Sequence, residues 1–208
     1  MSSENIDQET KEMPWPKTGD ILFQAGNDWQ HNACLNFCHD KWELYATGYK
    51  DAADILAQRV METQRSADVL IYPIVFLYRH YLELRLKEII VAGQELLDHP
   101  PDLKLIHGLD ILWKSCPKIF DEVWPGSSKD ELNAVEDCIM QFYKTDPQSM
   151  SFRYPATKDG QPTLPGLQHI NIRNLQEVMG RISSLLEGGS TGISVYLDYK
   201  RSMQANMY

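Results

Sequence analysis

The sequence predicts an all-α fold: an antiparallel helical bundle with an irregular N-terminal arm and one long Pro/Gly-rich loop. Three observations carry this. Apolar residues recur at helical spacing in several separate segments. One long segment is apolar around almost its whole circumference, as suits a helix in the middle of a bundle. No segment alternates for long enough to suggest a sheet, and no internal repeat is visible.

In chain order, residues 1–13 lack apolar periodicity and are expected to form a disordered tail. Residues 14–48 are rich in aromatics and short turns and are expected to form an arm packed on the body. Residues 49–208 then make the bundle domain. Ala53, Leu56, Ala57 and Val60 mark a first helix from Asp51 to about Gln64. A second runs from about Asp68 to Leu97, with Pro73 either near its start or kinking it. At 100° per residue its circumference is apolar except for Arg79, Glu83 and Lys87, spaced i, i+4, i+8 in a charge order suited to pairing. His99-Pro100-Pro101 ends it. Leu105, Leu109, Leu112 and Trp113 mark a short third helix expected to stop near Pro117. Leu132, Val135, Cys138, Ile139 and Phe142 mark a fourth, with Ser128 as its cap. The last clear stripe is Leu175, Val178, Met179, Ile182, Leu185 and Leu186, expected to stop at Gly188-Gly189. The remaining tail is expected to add one more helix.

With 43% apolar and 24% charged residues the composition is that of an ordinary globular domain. No apolar run approaches the roughly 20 residues that span a bilayer. The opening MSSENIDQETKEMPWP reads as neither a secretory signal nor a transit peptide. Four cysteines make no disulfide framework, so a cytoplasmic protein with reduced thiols is expected. A net charge of −9 argues against a surface that coats itself broadly in DNA.

Candidate chemistry is concentrated in a few places. Arg85 and Glu88, three apart on the long helix, are either a structural ion pair at a bundle seam or a binding-pocket arginine held by its acidic neighbour. His80 and His107 are the weak candidates for proton transfer. His31, Cys34, Cys38 and His39 form a cluster without the second ligand pair that zinc sites usually have, so no metal is expected. Glycine-rich phosphate loops, Gly-x-Ser-x-Gly elbows and His-Glu-x-x-His helices are missing.

The loop DPQSMSFRYPATKDGQPTLPG, residues 146–166, is longer than a compact bundle needs. It carries Arg153 between Phe152 and Tyr154, a guanidinium pre-organised for stacking and for an anion. The bland alternative is that the rings staple the loop down and Arg153 caps helix carbonyls. His169 and Arg173, at i and i+4, are expected to share a face at the start of the following helix, where the backbone field also suits an anion.

The segments GYKDAADIL, YPIVFLYRHYLELRLK, HGLDILW and DPQSMSFRYPATKDG together resemble a group of bacterial proteins with a HEPN-like helical bundle, over about residues 45–190. That resemblance implies a dimeric bundle that either cleaves RNA without a metal or binds a nucleotide or a partner protein, often in defence or stress systems. Catalytic members carry an arginine, four to six residues, then a histidine. No arginine here is followed by histidine at that distance; only the reverse order, His80 to Arg85, occurs. No catalytic residue is therefore carried over. The expectation is a homodimeric binding module without a cofactor, its ligand a nucleotide, RNA or a partner protein. Arg79, Arg85, Arg153, Tyr154 and Arg173 are its binding candidates. A metal-independent ribonuclease with an atypical site, or a non-catalytic scaffold, is the alternative.

Overall fold

The computed structural model describes residues 15–35, 37–38, 40–101 and 106–206, so the expected tail at 1–13 and the expected helix residue Leu105 lie outside the described residues. The chain divides into two units, Met1–Phe37 and Cys38–Tyr208. Among its described residues the first holds a 3-10 turn at Trp29–His31. There Asn32 closes a loop onto both the N–H and the C=O of Gly26, at 2.8 Å each. Of the four residues weighed as a metal cluster, His39 lies outside the described residues; His31 Nδ1 is 2.9 Å from Asp28 and Cys34 is exposed.

The second unit is helical: α1 (Lys41–Thr63), α2 (Ala67–Leu96), α3 (Leu109–Trp113), α4 (Cys116–Val123), α5 (Asp130–Thr145) and α6 (Ile172–Ala205). No strand occurs among the described residues, only an isolated bridge between Ala156 and Pro162. No helix among them is long and apolar enough to cross a membrane. The all-α bundle is therefore present, and cross-helix contacts give its directions. Glu43, Tyr49 and Asp54 of α1 meet Arg85, His80 and Tyr78 of α2, falling numbers against rising ones, so the pair is antiparallel. Glu187, Ser190 and Arg201 of α6 meet Tyr81, Glu88 and Glu95 of α2 in rising order, so α6 runs alongside α2 in the same direction.

Helix α1 begins ten residues before the predicted Asp51, where the Asp40 side chain accepts the Glu43 N–H at 3.0 Å. Its buried face is built from Ala46, Ala53, Ala57 and Val60. Small side chains give a weak apolar signal, which is why the first turns were not legible. Gln64 and Ser66, both left-handed, turn the chain tightly into α2. Helix α2 runs unbroken through Pro73. Ile74, Tyr78, Leu82, Leu86 and Ile89 form the core with Ala53 and Ala57 of α1 and Met179, Ile182, Leu186 and Ile193 of α6.

The third helix stops at Trp113, shortly before Pro117 as expected, whereas the stop expected at Gly188-Gly189 is absent. Pro117 itself opens α4, where the first turn needs no N–H donor from it. Gly188-Gly189 does not end the last helix, and no separate tail helix follows; α6 continues to Ala205. A Cβ on Gly189 would lie 2.7 Å from the Phe120 ring, and one on Gly192 would lie 2.7 Å from the Trp124 ring. These glycines therefore serve to admit two aromatic rings against α6. Ser128 is not the cap of α5: Lys129 holds that position without a side-chain cap, and Ser128, one residue earlier, accepts the Asp130 N–H at 3.2 Å.

Candidate functional site

The middle of α2 is buried on every side from Tyr81 to Ile90, and the charges of that region are buried with it: Arg79, Glu83, Arg85, Lys87 and Glu88 are each at most 5% exposed. A buried charge demands partners, and α2 finds them in two separate clusters. Phe76, His80, Glu83 and Lys87 fall within about 60° of arc on one face, with Arg79 at its edge. Arg85 lies about 180° round the helix from Phe76.

Glu83 is the hub of the first cluster. Its Oε1 accepts from Lys87 Nζ at 2.8 Å and from His107 Nδ1 at 2.8 Å, and its Oε2 accepts from Arg79 at 3.3 Å. Burial pushes the carboxyl up, but the hydrogen bonds and charges of Lys87 and His107 outweigh it and hold the group below its ordinary value. An ionised carboxylate can only accept, so Nδ1 of His107 carries the hydrogen. The other nitrogen, Nε2, is then the basic atom of the neutral ring, on the side away from Glu83. The His107 side chain is 67% exposed although its carboxylate partner is 4% exposed. A fixed, buried acid thus orients a solvent-facing imidazole.

Arg79 is fully buried and spends its donors inside the protein. Nε donates to the Asp146 carbonyl at 3.1 Å, Nη1 to Glu83, and Nη2 to the His107 carbonyl at 3.1 Å and that of Pro147 at 3.5 Å. It braces the segment before α3 and the start of the long loop against α2, and presents no donor to a ligand. Asp146 in turn accepts the N–H groups of Met150 and Ser151 at 2.7 and 2.9 Å, folding the loop back at once.

The loop's other anchor is Phe152, which is buried. Thr163 Oγ1 donates to the carbonyls of Ser151 and Tyr154, and a turn at Thr157–Gly160, with Gly160 at φ +76°, closes the tip. Arg153 stands exposed with its guanidinium 5.5 Å from the Phe76 ring centre and 5.4 Å from that of Tyr154. Its Nη1 is 3.9 Å from Met150 Sδ, and no helix carbonyl or carboxylate holds it among the described residues. Phe76 also stacks on His80, centroids 5.8 Å apart, and Tyr49 meets His80 edge-on at 4.3 Å. Burial first, then Lys87, Arg79 and His107, lower the His80 pKa, leaving a neutral ring packed among aromatics.

The predicted residues therefore separate into groups. His107 and Arg79 meet through Glu83, while Arg153 and His80 gather round Phe76 on the same face of α2, with Tyr154 against Arg153. Arg85 belongs to a different cluster with Glu43 and Glu88. Arg173 is exposed in the first turn of α6 and is not joined to Arg153 or His107. His169 precedes the start of α6 at Ile172, so the two do not share a helical face. Sequence reasoning missed Glu83 and Lys87 as site residues, having read them as a pairing strip, and missed Phe76 and Asp146 altogether. The i, i+4 placement of Glu83 between Arg79 and Lys87 was the available signal.

No protein-family model matches the chain, and no match is found among curated proteins or solved structures.

Proposed function

We propose that this chain is a HEPN-like helical bundle acting as a binding module for a nucleotide or an RNA end, held on the face of α2 that carries Phe76, His80, Glu83 and Lys87. The observation that carries the reading is the solvent-facing His107 ring, fixed by the buried Glu83 carboxylate beside Lys87, on the same face as an exposed Arg153 stacked over Phe76. Phe76 and Glu83 are seven residues apart, or about 10 Å along the helix axis. That is the reach of a nucleotide rather than of a lone phosphate. Aromatic rings offer stacking to a base, and a guanidinium without a carboxylate partner offers a fork to a phosphate.

A second reading, a metal-independent ribonuclease, is favoured by the same pair: a carboxylate-held imidazole is suited to take a proton from a ribose hydroxyl. Incubating the full chain with short labelled RNA and nucleoside monophosphates in chelator separates the two. Binding that Arg153→Ala weakens about tenfold, the worth of one charge-assisted contact, supports the module. Cleavage that disappears in His107→Ala supports the ribonuclease. Binding of neither ligand by the native chain overturns both, and because both side chains are exposed the variants leave the bundle intact.

A further inference from the structure

Across α2 from that face, Glu43 of α1 and Glu88 of α2 share one cation, Arg85. Both carboxylates take their hydrogen bond from the same nitrogen, Nη1, Glu88 at 2.6 Å. Arg85 and Glu88 are buried, with side chains 1% and 5% exposed, whereas the Glu43 side chain is 49% exposed. Ser190 of α6 donates to the other oxygen of Glu88. Thr47 Oγ1 donates to the other oxygen of Glu43 at 2.9 Å. Glu43 lies in the first turn of α1, so the cluster ties that turn to α2 and, through Ser190, to α6.

The balance of charge makes this joint sensitive to protons. Two ionised carboxylates on one guanidinium leave a net negative charge at a largely buried point, and like charges sharing a site favour keeping one proton. The surroundings add to that charge. Asp40 ahead of α1, Asp51 of α1, and Glu187 and Asp198 of α6 line the cleft that opens beside the cluster. Lys50 is the other cation there, and it is paired with Asp54 at 2.9 Å. On α2 the Tyr81 ring lies 5.9 Å from the Arg85 guanidinium, and its hydroxyl donates to Glu187 at 3.1 Å. Burial first, then Glu43 and Asp40, raise Glu88 to about 7 against Ser190 and Arg85. The Arg85 hydrogen bond holds Glu43 below its ordinary value. Glu88 is thus the member that keeps the proton, and the Ser190 hydroxyl, which can donate or accept, suits both of its forms.

Two arrangements leave the buried groups neutral overall. In one, Glu88 is protonated and Glu43 pairs with Arg85. In the other, Glu88 is ionised and pairs with Arg85, and Glu43 stands in water. We propose that Glu43, Arg85 and Glu88 form a proton-operated latch: the protonated form pins the first turn of α1 to α2, and loss of the proton to solvent releases Glu43 and loosens that turn. Glu43 is the member that leaves because it alone is half-exposed. Release removes the neighbouring charge that helps to raise Glu88, so the latched chain binds more protons than the released one from about 4.5 to about 7. The latch therefore holds in mild acid and weakens as pH rises through about 7. It lies on the opposite side of α2 from Phe76, so it and the His107 face can fail independently.

Glutamate carboxyl-carbon shifts, and hydrogen-exchange protection of the amides of residues 44–47, test it on the full chain across neutral pH. The expected result is a Glu88 carboxyl that titrates near neutrality, with protection at 44–47 falling about tenfold between about pH 6 and about pH 8. Amides in the middle of α2 should keep their protection over the same range. Glu88→Gln imitates the protonated acid and should hold protection at 44–47 high at every pH. Glu43→Gln removes the second charge from a half-exposed position, so it leaves the core intact; it should move the Glu88 titration towards acid and flatten the response. Protection at 44–47 that ignores pH in the native chain overturns the proposal. So does a Glu88 carboxyl that titrates like an exposed glutamate, or a pH response that survives either variant. Should Glu88→Gln fail to fold, Glu43→Gln decides alone.

Discussion

At the residue scale, Arg79 and Arg85 stand six positions apart on one helix and are equally buried, yet they are used differently. Arg79 has every nitrogen bonded, two of them to carbonyls of segments that would otherwise hang free of α2. Arg85 bonds only through Nη1, and its buried Nε and Nη2 have no acceptor among the described residues. The sequence could not distinguish them, because both read as cations on an apolar helix, and what separates them is supplied by distant residues: Asp146, Pro147 and His107 for one, Glu43 for the other. Replacing Arg79 by Met should strip Glu83 and Asp146 of their buried counter-charge and cost about 3–5 kcal/mol in denaturant unfolding, as removal of one partner of a buried pair does. The same change at exposed Arg153 should stay within about 0.5 kcal/mol. Equal losses at the two positions would contradict the division between bracing and binding. Glu88 shows the strain of so much buried charge. Burial, with the nearby Glu43 and Asp40 carboxylates, raises it to about 7 despite hydrogen bonding from Ser190 and pairing with Arg85.

At the scale of elements, the long apolar stripes of α2, α5 and the first half of α6 were legible from periodicity alone. What was not legible is where helices begin and end when the signal is a small residue or a glycine. The first turns of α1 bury Ala46, and the middle of α6 buries ring faces against bare backbone at Gly189 and Gly192. A sequence shows that glycine is present, but not that an aromatic side chain some seventy positions earlier fills the space. The two adjacent glycines make a sharp test. A Cβ on Gly188 meets nothing within 4 Å, whereas one on Gly189 meets Phe120 at 2.7 Å. Gly188→Ala should stabilise the protein by about 0.5–1 kcal/mol through helix propensity. Gly189→Ala should destabilise it by about 1–3 kcal/mol through overpacking. Thermal unfolding of the two variants reads the difference, and a gain in both would mean that Phe120 does not pack where the structure places it.

At the scale of the molecule, the arrangement follows from burying the charged middle of one helix on all sides. Charge on one face of α2 is satisfied by the loop and the segment before α3, and charge on the other by α1 and α6. The binding candidates Arg79, Arg85 and Arg153 do not share one site, because Arg85 lies on the opposite side of α2 from Phe76. The long loop does fold back onto the central helix, but its arginine lands on Phe76 rather than on the other arginines. Part of the candidate site was thus readable as residue types and none of it as geometry, since the organising residue, Glu83, looked like one member of a polar strip suited to pairing along the helix. The account stands on His107 as a ring oriented by Glu83 and open to a phosphate. Its most direct test is the nitrogen spectrum of the His107 imidazole in the full chain, recorded with and without a nucleoside monophosphate. The account predicts a ring with its hydrogen on Nδ1, lost as a fixed tautomer in Glu83→Gln, and a shift of Nε2 on adding the nucleotide. A ring that samples both tautomers and does not respond to nucleotide would contradict it.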